Sequence, residues 1–216
     1  MGGESARAQA SDPPAARPAA IPPAELPAVT MVEVLTRLRA GDLNDLCDAA
    51  EAAIREGGGF GWLHPPARDV MERFWRGVLV VPERTLFVGR LDGVIAASAQ
   101  LVQPPRNNEA QAHSATVQSA FVAPWARGHG LARALIGTVI AAARERGTRV
   151  LNLDVRETQS AAIALYESLG FRRWGVHPAY AAVDGRLVGG YYYTMLLQED
   201  DGPLEPGDGT GVGGPG

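Results

Sequence analysis

Lysine is absent from this 216-residue chain, and all twenty basic side chains are Arg. That absence excludes a Walker lysine and a Schiff-base enzyme. With so much Ala, Gly and Pro, the exclusive use of Arg reads as the codon bias of a GC-rich genome. Cysteine is almost absent too. The single Cys47 excludes an internal disulfide framework and a cysteine zinc cluster, and it fits a reducing compartment. No apolar run reaches the ~18 residues of a membrane span. The ~7–15-residue apolar stretch of a signal peptide is also missing. Basic charge is not in excess: the net charge is −4, which argues against a nucleic-acid partner held by overall basicity. His64 and His177 each precede Pro, and with His113 they show no metal-ligand spacing, so no metal is expected. These absences leave a cytoplasmic protein with neither membrane nor nucleic acid among its expected partners.

What remains is an ordinary globular composition, 46% hydrophobic and 20% charged, of a size that suits one domain. Residues 1 to 28 are rich in Ala and Pro. Prolines at 13, 14, 18, 22, 23 and 27 block helix and ladder bonds, so this stretch reads as a disordered arm. Residues 199–216, rich in Asp, Gly and Pro, read as a solvated acidic tail. The folded body is therefore expected over 29–198. Its apolar patterning predicts a strand over 29–38 and a helix over 42–56 with Asp42 as N-cap, closed by Gly57-Gly58-Gly59. A second helix is predicted over 67–76. Strands over 84–90 and 94–103 flank Asp92-Gly93, a strong hairpin signal. A strand over 112–122, a helix over 128–146, a strand over 149–155 and a helix over 159–169 follow. Strands over 171–176 and 189–197 end the body. This order implies an α/β domain with a mixed sheet.

The sequence from Phe121 to Ala132 carries the first motif. A strand stops at Pro124, and a helix is expected from Arg127-Gly128. Gly128 and Gly130 remove Cβ atoms where a ligand must approach the backbone. First-turn N–H groups and the helix dipole make such a terminus a pyrophosphate site, and Arg127 adds a full charge. The dinucleotide pattern G-x-G-x-x-G fails, because Arg133 stands at its third small position. A tight strand–helix turn alone would also explain two glycines.

The second motif runs from Leu153 to Phe171. Gln159, Ile163 and Tyr166 are spaced i, i+4, i+7, which puts an amide and a phenol on one helix face. Together the two motifs resemble the GNAT superfamily of N-acetyltransferases, from about Leu86 to Leu197. Arg127-Gly128-His129-Gly130-Leu131-Ala132 looks like that family's acyl-CoA loop. Ala162-Ile163, Leu165-Tyr166-Glu167 and Leu169-Gly170-Phe171 look like its fourth-helix signature. Ala97 to Leu101, Leu153-Asp154, Pro178-Ala179-Tyr180 and Asp184 to Leu187 are similar to the tabtoxin-resistance type, which acetylates an amine on a toxin.

The resemblance implies a fold with two splayed parallel strands and about four helices. It also implies acetyl-CoA as co-substrate. The pantetheine arm would pair with the backbone of Ala120, Phe121 and Val122, and the pyrophosphate would sit on Arg127 to Ala132, with His129 as a phosphate neighbour. Gln159 stands where the family often has Asn, and it keeps the amide donor and acceptor. Amine acetylation needs a base for the amine, a donor for the developing oxyanion and a proton for the leaving thiolate. Tyr166 matches the family's general acid, and a backbone N–H near Val122 is the expected oxyanion donor. For the base, Thr116 occupies the place where relatives often carry Glu, and Thr cannot serve at neutral pH. Asp154, at the C-terminal end of a strand where open α/β sheets place ligands, is the leading candidate. His113, Glu109 and a water relay remain open. Phe60, Trp62 and Tyr180 are candidate walls for an acceptor pocket, and Trp125 is expected to brace the glycine turn.

The expected acceptor is a small-molecule amine. Acetylation of a protein N-terminus or side-chain amine, and a non-catalytic acyl-CoA sensor, are the alternatives. A homodimer through the late strands is a further expectation of the resemblance.

Overall fold

The computed structural model describes residues 28–58 and 61–198. The expected arm and tail lie outside these residues apart from Ala28, as does Phe60. The mixed sheet predicted from the sequence is present. Its strands are β1 (Thr30–Leu35), β2 (Arg84–Leu91), β3 (Val94–Val102), β4 (Ser114–Val122), β5 (Val150–Arg156), β6 (Arg172–Val183) and β7 (Arg186–Leu196). They lie in the order β1-β2-β3-β4-β5-β7-β6. Among the described residues only β4 and β5 run parallel. Among the described residues four α-helices flank the sheet: α1 (Asp42–Arg55), α2 (Arg68–Val80), α3 (Leu131–Glu145) and α4 (Ser160–Ser168).

Strand alternation sends side chains to two separate cores. On one face, Leu46, Ala50 and Ile54 of α1 and Met71 and Trp75 of α2 pack on Leu86, Val88 and Ile95. On the other, Leu131, Leu135 and Val139 of α3 and Tyr166 of α4 pack on Phe87, Ala99, Leu151 and Leu153. Full burial of a Leu, Ile or Phe side chain is worth roughly 1.5–3 kcal/mol, so each face holds its own helices.

Local chemistry explains most boundaries. Asp92 and Gly93 both take positive φ, 50° and 86°, the conformation of the tight turn their sequence predicts. The cap of α1 differs from expectation. Gly41, at φ 92°, occupies the N-cap and Asp42 is the first helical residue. The Asp42 carboxylate is buried and accepts from the Arg39 N–H at 2.9 Å and from Arg90 Nη2 at 2.8 Å. The third helix also begins later than predicted. Pro124–Ala126 form a 3-10 turn, and α3 starts at Leu131 behind a left-handed Gly130. Residues 127–130 therefore form a loop rather than a first helical turn.

The largest departure is the final hairpin. The sequence reading ends one strand at Val176 and begins the next at Gly189, whereas β6 runs on to Val183 and β7 starts at Arg186. Pro178 and Gly189-Gly190 look like breakers, but they sit at a bulge. His177 pairs Gly190 and Ala181 pairs Val188, so three residues of β6 face one of β7. A proline lacks the ladder donor and is tolerated at such a bulge. Asp184 and Gly185, at φ 49° and 75°, close the hairpin beyond it.

Candidate active site

The site begins where the parallel pair fails. β4 and β5 are registered only from Ser114 to Thr116 against Val150 to Asn152. Beyond that point the strands diverge. In β4, Ser119 takes φ 49° beside a register shift against β3 that skips one residue of β3 and two of β4. This bulge bends the strand away and turns its later side chains. A cavity of about 1030 Å³ fills the split. Its walls include Ala120, Phe121 and Val122 of β4, Asp154 of β5, Gln159 before α4, and Tyr166 of α4. Arg127, Ala132, Leu63 and Tyr180 line it as well. A neighbouring space of about 250 Å³ is bounded by Val122, Arg127, Gly130, Leu131 and Ala132. Gly128 and His129 line neither space and lie exposed on the loop between them.

The glycine loop leaves its backbone open. Gly128 and Gly130 have φ of 85° and 74°, with open space where a Cβ would project. Among the described residues, the N–H groups from Gly128 to Arg133 find no backbone acceptor, and the first ladder bond runs from Ala134 to Gly130. Free donors at a helix start, with the positive end of its dipole, suit a phosphate group.

Asp154 and Tyr166 meet at the same cavity. The Tyr166 ring is buried and edge-on to Phe171, with centroids 5.9 Å apart. Burial, and then the negative charge of Asp154, push its phenol up to about 12. Tyr166 therefore keeps its proton at neutral pH and can donate it. Asp154 is exposed to the cavity and accepts a short hydrogen bond from Tyr180 Oη. Burial first, then that bond and the Asp154 charge, push the Tyr180 phenol strongly upward.

Other expectations land elsewhere. Glu109, His113 and Thr116 do not line the cavity; His113 and Thr116 lie toward the closed end of the split. Trp62 packs against Phe74 at 5.1 Å instead of facing the cavity. Trp125, expected to brace the turn, is 51% exposed. Gln159 lies on the cavity wall, but its amide Nε2 donates to the Gly57 carbonyl at 2.7 Å. Arg156 Nη2 donates to the same carbonyl at 2.9 Å. Arg127 Nη1 pairs with Glu56 Oε2 at 2.6 Å. Thus the end of α1 straps across the split. Sequence reasoning saw in Gly57-Gly58-Gly59 only a helix stop.

The acetyltransferase (GNAT) family model matches residues 46–171. The chain belongs to that family. Among curated proteins, this acetyltransferase is 70% identical over 128 residues to an uncharacterized N-acetyltransferase from the hisH-hisA intergenic region of Azospirillum brasilense, covering 59% of this chain and 76% of that one. It is 42% identical over 73 residues to the ribosomal protein bS18-alanine N-acetyltransferase of Escherichia coli K12, covering 33% of this chain and 49% of that one. A mycothiol acetyltransferase of Thermobispora bispora is 49% identical over 59 residues, 27% of this chain and 20% of the relative. The last two matches thus span half or less of those relatives. Among solved structures, yncA of Salmonella typhimurium, determined with its cofactor acetyl-CoA, aligns with TM-score 0.66 at 19% identity over 81% of this chain and 97% of that one. An N-acetyltransferase from Staphylococcus aureus Mu50 aligns with TM-score 0.68 at 20% identity over 79% and 99%. These likenesses establish the fold, which among the described residues has seven strands and four α-helices. Among the described residues no helix is long and apolar enough to cross a membrane, and no group of three or more potential ligands could hold a metal ion.

Proposed function

We propose that this acetyltransferase transfers the acetyl group of acetyl-CoA to a primary amine of a small molecule by direct attack on the thioester. The observation that carries this reading is the convergence of Asp154 and Tyr166 on one cavity, beside a loop of unpaired N–H donors. The site fits the co-substrate. The open cradle at Gly128 and Gly130 would take the pyrophosphate, with Arg127 supplying charge. The β4 edge at Ala120 to Val122, freed from β5, would pair with the pantetheine arm. When bound, acetyl-CoA supplies an acyl carbon and a thiolate leaving group.

The chain's own residues supply the rest. Asp154 takes a proton from the acceptor ammonium or from the nitrogen as its bond to the acyl carbon forms. An N–H near Val122 donates to the carbonyl oxygen, where preorganised donors act most strongly. Tyr166 gives its proton to the departing sulfur. The proton taken by Asp154 and the one given by Tyr166 are restored by exchange with solvent once the products leave, which returns both groups to their starting states.

The Tyr180–Asp154 bond takes up part of the cavity beside the proposed base. This favours a small amine. One observation favours a second reading, a peptide N-terminus: the identity to the bS18-alanine enzyme over 73 residues. Calorimetric titration with acetyl-CoA, followed by thiol release with a panel of small amines and an alanine-initiated peptide, separates the readings. Turnover confined to small amines supports the first, and turnover confined to the peptide supports the second. Failure to bind acetyl-CoA would sink both.

A further inference from the structure

The family match ends at Phe171, yet the cavity continues onto the final hairpin, where Tyr180 meets Asp154. Three observations converge there. The β6 bulge between His177 and Ala181 is tied by the Ala179 N–H donating to His177 Nδ1 at 3.1 Å. The Tyr180 ring is seated on bare backbone: a Cβ at Gly190 would lie 2.2 Å from its Cγ and 2.7 Å from its Cβ. The ring is further held edge-on by Tyr192, with centroids 6.2 Å apart. So placed, Tyr180 Oη donates to Asp154 Oδ2. Among the described residues no other hydrogen bond to that carboxylate is made.

We propose that Tyr180 is a positioning residue that acts through Asp154, with Gly190 as its seat. By occupying Oδ2, the phenol fixes the carboxylate plane and leaves Oδ1 as the oxygen presented to the acceptor amine. The inference rests on the reading of Asp154 as the base. A carboxylate on an exposed strand position rotates freely about χ2 unless held, and a misaimed base loses rate steeply. Tyr180 suits this task, because a phenol that resists ionisation remains a donor at every working pH. Glycine at 190 is accounted for by the same contact, since any side chain would lift the ring off.

The test is a double-mutant cycle on the full chain, with acetyl-CoA and a panel of primary amines (alaninamide, histamine, putrescine and glucosamine). Tyr180→Phe keeps the ring and removes the donor. It should lower kcat about tenfold with an unchanged KM for acetyl-CoA, and its Tm should stay within about 2 °C of wild type. Asp154→Asn should lower kcat on the order of 100-fold or more. The double variant should be no slower than Asp154→Asn alone, because Tyr180 has nothing left to position. Gly190→Ala should reproduce the kcat loss of Tyr180→Phe. If the two single losses instead multiply, Tyr180 acts as an independent wall and the proposal is overturned while Asp154 stands. If Asp154→Asn retains wild-type kcat, the base assignment fails and Tyr180 falls with it. A wild type inactive on every amine overturns the small-amine reading and this inference together.

Discussion

Tyr166 has its chemistry set by where its helix buries it. A phenol in water ionises near pH 10, but burial, with Asp154 adding negative charge nearby, moves Tyr166 to about 12. The sign matters for the reaction. A group that must donate is competent below its pKa, so Tyr166 imposes no falling limb on kcat until the pH nears 12. Measured to pH 10.5, kcat should show no alkaline loss assignable to it. Tyr166→Phe should reduce kcat by roughly 10²–10⁴-fold and leave acetyl-CoA affinity by calorimetry within about twofold. An equal loss of affinity would make Tyr166 a wall residue instead. Tyr166 was singled out by the family resemblance and Asp154 by its place at a strand end, and both line one cavity. Tyr180 was legible only as a candidate wall. Its bond to Asp154 depends on a bulge whose register no local pattern encodes.

The same division holds for whole elements. Strands with clean alternation and a positive-φ turn, such as β2 and β3, were readable to within a residue or two. β6 and β7 were not, because Pro178 and the Gly189-Gly190 pair are turn signals absorbed by a bulge. Gly189 faces a second demand: its N–H donates to Glu157 Oε1 at 2.9 Å, and a Cβ there would meet Glu157 Oε2 at 2.5 Å. The start of α1 shows a different gap. Asp42 looked like a cap, but it belongs to a buried ionic cluster. Arg90 reaches Asp42 at 2.8 Å and Glu33 at 2.7 Å, and also donates to the Gly93 carbonyl at 3.0 Å. Burial alone would raise the Asp42 carboxyl, but the Arg39 N–H and Arg90 outweigh it and hold it below its ordinary value. Glu33 is likewise lowered, first by its bond from Arg90. Carboxyls depressed in the fold stabilise it above their unfolded pKa values and lose that contribution as pH falls through the folded ones. Thermal midpoints should therefore decline below about pH 4. Asp42→Ala leaves the buried Arg90 with Glu33 and the Gly93 carbonyl as its remaining partners and should cost about 2 kcal/mol at pH 7, read by urea unfolding. A cost below about 1 kcal/mol would mean that Arg90 reaches water once Asp42 is gone.

At the scale of the molecule, the sheet separates two cores, and the split between β4 and β5 lets both faces border one cavity. The strap at the end of α1 is what joins them across the opening. Arg127 of the glycine loop pairs with Glu56, while Arg156 and Gln159 hold the Gly57 carbonyl. On the proposed reading, Arg127 must serve the pyrophosphate, so Glu56 and acetyl-CoA compete for one guanidinium. Both partners are about half exposed, at 52% and 50%, and an exposed pair is worth at most about 1 kcal/mol. Glu56→Gln removes the competing charge yet leaves the two bonds to Gly57 in place, so the strap itself should persist. Acetyl-CoA should then bind two- to fivefold more tightly at low ionic strength, the fold-change that an energy of about 1 kcal/mol allows. In 1 M salt, where screening falls to about 3 Å, the two proteins should bind alike. Tightening that survives high salt would point to a change in loop shape. Weaker binding in Glu56→Gln would mean that the pair organises Arg127 for the phosphate rather than withholding it.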